Sequence, residues 1–184
     1  MTAMTDRLAR ARAMWQHVGD ERPPFAAKPK ANQESVWDYP RPPRCELDSR
    51  EVIVRAGEAE IARTRRAVRV LETASPPTFY LPPEDVQMAL LERAPGRSGC
   101  EWKGVAGYWS VVTPSLRVDA VGWSYDDPYP EFAAIRGFIS FYPGRLQCFV
   151  DGVRVQPQPG RFYGGWVTPE IAGPFKGEPG SEGW

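Results

Sequence analysis

The chain has 184 residues, 42% of them hydrophobic and 25% charged, and its 23 basic and 23 acidic side chains cancel to a formal net charge of zero. That composition belongs to globular domains and not to disordered or membrane chains, and one domain is the default at this length. Balanced charge argues against phosphate-backbone binding, and no run approaches the ~20 apolar residues of a bilayer span, so neither a nucleic-acid partner nor a membrane is expected.

Residues 5–17 read as a short helix, with Leu8, Met14 and Trp15 set among arginines and alanines. Residues 19–33 shift to Pro, Lys and Ala and read as a linker, so residues 1–33 are expected to stand apart from a single β domain over 34–184. Residues 34–44 combine Trp37 and Tyr39 with three prolines and are expected to run as an extended arm. Alternation in VIVRA and EIART predicts a first hairpin around Gly57. TFYLP reads as a short strand, and Pro83-Glu84-Asp85 opens a brief helix through Leu91. The Arg-Ser-Gly stretch before Cys100 reads as flexible. GYWSVV at 107–112 and LRVDAVGWSY at 116–125 are rich in aromatic and β-branched residues and suit an antiparallel pair. Residues 130–136 suit one or two helical turns, and 138–142 return to strand. Asp151-Gly152 between two apolar runs is the strongest hairpin signal in the chain. The Gly- and Pro-rich tail over 157–184 holds Phe162, Tyr163, Trp166, Phe175 and Trp184, too many aromatics for a disordered tail, and is expected to pack extended on the domain as a second arm.

Cys45, Cys100 and Cys148 are odd in number and unpaired in spacing, which argues against a disulfide framework and against structural zinc. Free thiols and an N-terminus without an apolar core fit a cytoplasmic protein. His17 is the only histidine and falls outside the expected β domain, so a site built on several histidines is excluded. No metal and no cofactor is expected.

WDYPRPPR at 37–44, RVLET at 69–73, YLPPEDV at 80–86, CEWKG at 100–104, GYWSV at 107–111, WSYDDP at 123–128 and GGWVTPEIAGPFKG at 164–177 together resemble the bacterial family known as domain of unknown function 427. The resemblance covers most of the chain from residue 34 and implies a mainly β fold, a small antiparallel β-tent-like (Mss-four-like) sheet domain with short helices. It implies little about function. A nucleotidyltransferase-like label is sometimes attached to the family, but this chain has no Gly-rich phosphate loop and no carboxylate pair at metal-binding spacing on one strand. The family's pattern also often has His where this chain has Ser75, which puts any role of that histidine in doubt here.

The candidate chemistry centres on residues 100–104. Cys100 is a candidate nucleophile with a thiol that Lys103 or backbone N–H groups can activate. Lys103 can instead hold a substrate carboxylate while Glu101 or Tyr108 moves a proton. Trp102, Trp123, Tyr125 and Tyr142, with Ser75 and Tyr108, are candidates for one aromatic ligand-binding face. The bland readings are a buried free cysteine with an ion-paired lysine, and an aromatic core. Asp126-Asp127 and Glu84-Asp85 are explained by a turn and a helix start, and Phe175-Lys176-Gly177 reads as a docking segment. Three functions are therefore expected to compete. One is a metal-independent enzyme, a hydrolase or group transferase acting on a small molecule. The second is a non-catalytic ligand-binding or regulatory module, and the third is a structural homo-oligomer, such as a homodimer with exchanged arms.

Overall fold

The computed structural model describes residues 2–160 and 162–184. Helix α1 (Thr2–Ala13) precedes strands β1 (Glu34–Ser35), β2 (Arg44–Asp48), β3 (Val52–Ala56), β4 (Ala59–Thr64), β5 (Ala67–Glu72), β6 (Ser75–Tyr80) and β7 (Leu91–Cys100). After these come β8 (Gly104–Val112), β9 (Arg117–Ser124), β10 (Ile139–Phe141), β11 (Gln147–Val150), β12 (Val153–Arg154), β13 (Gln156–Pro157), β14 (Trp166–Val167) and β15 (Ile171–Ala172). The protein is mainly β, its three larger sheets are antiparallel, and none closes into a barrel. No described helix is long and apolar enough to cross a membrane.

Alternation decides the first sheet. Val52, Val54 and Ala56 of β3 and Ile61 of β4 point inward, and β11 pairs with the free side of β3 before turning through Asp151 and Gly152 into β12. The second sheet runs β2-β5-β6, and the third runs β10-β9-β8-β7. An antiparallel bridge between Leu81 and Ile139 ties the second to the third. The main core fills the space among the three sheets. Phe79 stacks on Trp166 there with ring centroids 4.9 Å apart, and the Trp166 indole donates to the Phe141 carbonyl at 3.0 Å. A second apolar cluster, built on Val68, Val70, Tyr80, Trp123 and Tyr125, lies where the second sheet faces the third.

The structure corrects four expectations. Residues 91–100, whose Arg-Ser-Gly end reads as flexible, form the ten-residue strand β7, because they pair with β8 across a bulge between Ala94 and Arg97. The brief helix over 83–91 is two separate 3-10 turns, Pro83–Asp85 and Met88–Leu90, since Val86 leaves the helical region to bridge Ala62. The first helix ends at Ala13, short of residue 17. His17 does not stand clear of the β domain: its ring packs edge-on against the buried Trp37, with centroids 5.2 Å apart. The tail contributes β13, which pairs with β14, and β15, which pairs with β1 in parallel.

Candidate functional site

Cys100 and Gly104 are paired residues closing the β7–β8 hairpin, so Glu101, Trp102 and Lys103 form its turn. The Lys103 carbonyl accepts the Tyr129 amide at 3.3 Å, which seats the turn against the segment after β9. Lys103 is largely buried there beside Cys100, its side chain 12% exposed. Across the sheet formed by β8, β9 and β10, Tyr108 is paired with Trp123 and Trp123 with Ser140, so the aromatic residues of neighbouring strands share one face.

That face lines a cavity of about 230 Å³. All nine sequence candidates, Ser75, Cys100, Glu101, Trp102, Lys103, Tyr108, Trp123, Tyr125 and Tyr142, are on its wall. The rings brace one another: Trp123 lies 4.5 Å from Tyr142, and its indole donates to the Tyr80 hydroxyl at 3.2 Å. Tyr108 donates to Ser98 at 2.7 Å. Trp123 and Tyr125 are largely buried, whereas Cys100 is half-buried. Ser75 starts β6 directly opposite Glu72.

The electrostatics are fixed by burial. Burial pushes the Lys103 ammonium down, whereas the Cys100 sulfur, the Tyr80 hydroxyl and the Glu72 carboxylate push it up, the sulfur and the hydroxyl only when ionised. It is a buried cation. Its ion-pair partner among the described residues is Glu72, whose Oε2 stands 4.0 Å away, beyond hydrogen-bond reach. Glu72 is pulled the other way by Arg41, at 3.3 Å. Burial pushes Tyr80 and Tyr142 up to about 12 and Tyr125 above its ordinary range, so all three stay neutral. Glu101 is committed to structure: its Oε1 accepts the Trp15 indole at 2.9 Å and its carbonyl accepts Arg12 at 2.8 Å. Among the described residues, no three His, Cys, Asp or Glu side chains are grouped to hold a metal ion.

Sequence reasoning missed Trp15, Glu72, Tyr80, Gln158, Tyr163 and Lys176, which also line the cavity. Lys176, read as part of a docking segment, is 3% exposed and has its ammonium 3.3 Å from the centroid of the Trp15 ring. Tyr80 lies within the YLPPEDV motif. The other five are far from residues 100–104 in sequence; Glu72 lies within RVLET and Lys176 within GGWVTPEIAGPFKG, but nothing local to either points to the cavity.

The fold and the cavity define a mainly β protein with an aromatic pocket at the meeting of two sheets. Residues 44–152 match the profile of the family described as Domain of unknown function (DUF427), and the chain belongs to that family. No curated protein matches it.

Proposed function

We propose that this chain binds one compact, ring-bearing small molecule carrying an anionic or carbonyl oxygen, flat against the tyrosine and tryptophan rings and oriented by Lys103. The observation that carries this reading is Lys103 itself, a buried cation on the wall of an aromatic cavity whose nearest ion-pair partner is 4.0 Å away. Burying a cation without full hydrogen bonding is costly, and an incoming acceptor offsets that cost. The size agrees. An apolar cavity of roughly 150 Å³ holds a benzene ring, so about 230 Å³ suits a substituted single ring.

A metal-independent hydrolase or group transferase is the second reading, supported by the Cys100 thiol beside Lys103. Against turnover stands the state of the neighbouring groups. Tyr80, Tyr125 and Tyr142 are held neutral, so none of the three is poised near pH 7 as a general acid or base. Ligand binding is therefore the primary reading.

Tryptophan emission titrated with benzoate and with neutral benzamide tests it. Benzoate is expected to change the emission of the native protein and to bind Lys103→Met at least ~10-fold more weakly, the loss of a charge-assisted hydrogen bond, with benzamide little affected. Equal benzoate affinity in both proteins sinks the role of Lys103, and silence with every single-ring acid tried sinks the pocket reading. For the thiol, iodoacetamide at pH 7 decides: a Cys100 no faster than Cys45 removes the nucleophile.

A further inference from the structure

Trp15 comes from the N-terminal segment, outside both the β domain and the matched residues 44–152, yet its indole lines the cavity. Two cations sit against its ring. The Arg41 guanidinium lies 4.6 Å from its ring centroid and the Lys176 ammonium 3.3 Å from it, while its N–H donates to Glu101 at the edge. Arg12, one turn earlier, donates to the Glu101 carbonyl and lies 5.1 Å over Trp102. The main chain adds little more: Gln16 N–H to Gly183 at 3.3 Å, Arg41 N–H to Val18 at 3.1 Å, and an Arg41 guanidinium bond to the His17 carbonyl at 2.8 Å.

The kind of contact matters as much as the number. Met14 is 65% and Val18 43% exposed, so next to Trp15 the segment buries little apolar surface. Cation–aromatic and polar contacts hold it, with the His17 ring edge-on to Trp37 and Phe25 near its far end, and each such contact is worth only ~0.5–2 kcal/mol. Segments with few buried apolar contacts open at far less cost than the global fold. The chain is pinned just beyond, at Gly19, where a Cβ would lie 2.0 Å from the Tyr39 carbonyl oxygen and no side chain fits.

We infer that residues 12–18 are a strap pivoting near Gly19, that Trp15 is the removable wall of the pocket, and that ligand enters and leaves by its release. This rests on the pocket being a ligand site. The strap makes Trp15 a ligand-contact residue, and the ring that the strap lays over the cavity selects for a flat partner. Glu101 serves as the catch and not as a proton carrier.

Two measurements on the intact chain test the strap without any ligand. The first is iodoacetamide alkylation followed residue by residue. Trp15→Ala is expected to speed Cys100 about tenfold while buried Cys148 stays unreactive. An unchanged Cys100 rate overturns the strap, and so does a parallel rise at Cys148, which makes Trp15 part of the core. The second, needed if Trp15→Ala does not fold, is amide hydrogen exchange of the native protein. The Gln16 amide is expected to exchange at least a hundredfold faster than amides of the β8–β9 ladder, and equal protection overturns the proposal. Failure of benzoate to bind leaves both results intact, so the two readings fail separately.

Discussion

Gly164 lies so close to Trp123 that a Cβ at position 164 would stand 2.1 Å from the ring's Cη2 and 2.8 Å from Cζ3. The glycine is therefore a requirement of the pocket wall, and the tail is seated against β9 through it. Gly164→Ala must displace either the tail or the ring, and overpacking of this kind costs ~1–3 kcal/mol. A lower urea midpoint with altered tryptophan emission is the expected outcome. A variant with native stability and native emission shows that the contact relaxes freely and that the ring is not held by the tail.

Lys103→Met should leave the fold intact and its thermal midpoint unchanged or raised. The lysine is a buried cation whose Glu72 partner is at 4.0 Å, and Glu72 keeps Arg41 at 3.3 Å when the lysine is removed. Exchanging a poorly paired buried charge for an apolar side chain of similar length is often neutral or stabilising. The same change should slow alkylation of Cys100 if the ammonium assists that thiol. A drop of several degrees in the midpoint shows instead that Lys103 holds the β7–β8 turn in place.

The legible parts of this protein are those where one residue type answers one local need. Asp151-Gly152 between apolar runs specifies a two-residue hairpin because both positions take positive φ, and the structure has the turn there. The strand pair around Tyr108 and Trp123 follows from aromatic and β-branched density. Strand β7 was illegible because Pro95, Gly96 and Gly99 mask it; only the partner β8 makes it a strand, and pairing is not a local property. The helix over 83–91 failed for the same reason, since Val86 is taken by a bridge to Ala62. In the site, nearby side chains in 100–108 and the strand face of 123–125 were legible. Trp15, Glu72 and Lys176 were not, because their nearness is created by sheet packing and by segments that close over it.

Trp166 should be among the costliest single truncations. It is fully buried, stacks on Phe79 and donates to the Phe141 carbonyl. Trp166→Ala removes the ring and strands the carbonyl, and losses of ~3–5 kcal/mol are usual for a core aromatic. Trp166→Phe keeps most of the packing and forfeits the hydrogen bond, a smaller loss of ~1 kcal/mol. Urea unfolding of both variants measures the gap between them. Equal losses would mean that the indole N–H, and not the ring volume, dominates.

Lys176 gives the protein a pH signature with a definite sign. Burial, then the nearby Arg41, lower its ammonium to about 8, against Glu72 and Glu101, which favour the cation. The Trp15 face also favours the cation, and Tyr163 lies with its ring centroid 5.7 Å from the ammonium. In the unfolded chain the group returns to about 10.5, so between roughly pH 8 and 10.5 the unfolded state binds more protons. Its contribution therefore makes stability rise with pH across that window, and below pH 8 the folded state bears the cost of a buried cation. The raw curve does not isolate this, because burial raises the Cys45 and Cys148 thiols and their effect runs downward as pH rises. The difference between native protein and Lys176→Met removes those shared terms. Measured by urea unfolding at pH 7, 8, 9 and 10, the native protein should gain on the variant at each step above 8. A flat difference shows that the ammonium keeps its ordinary affinity for the proton, with the Trp15 ring and the Trp184 carbonyl, which accepts from it at 2.9 Å, balancing the burial.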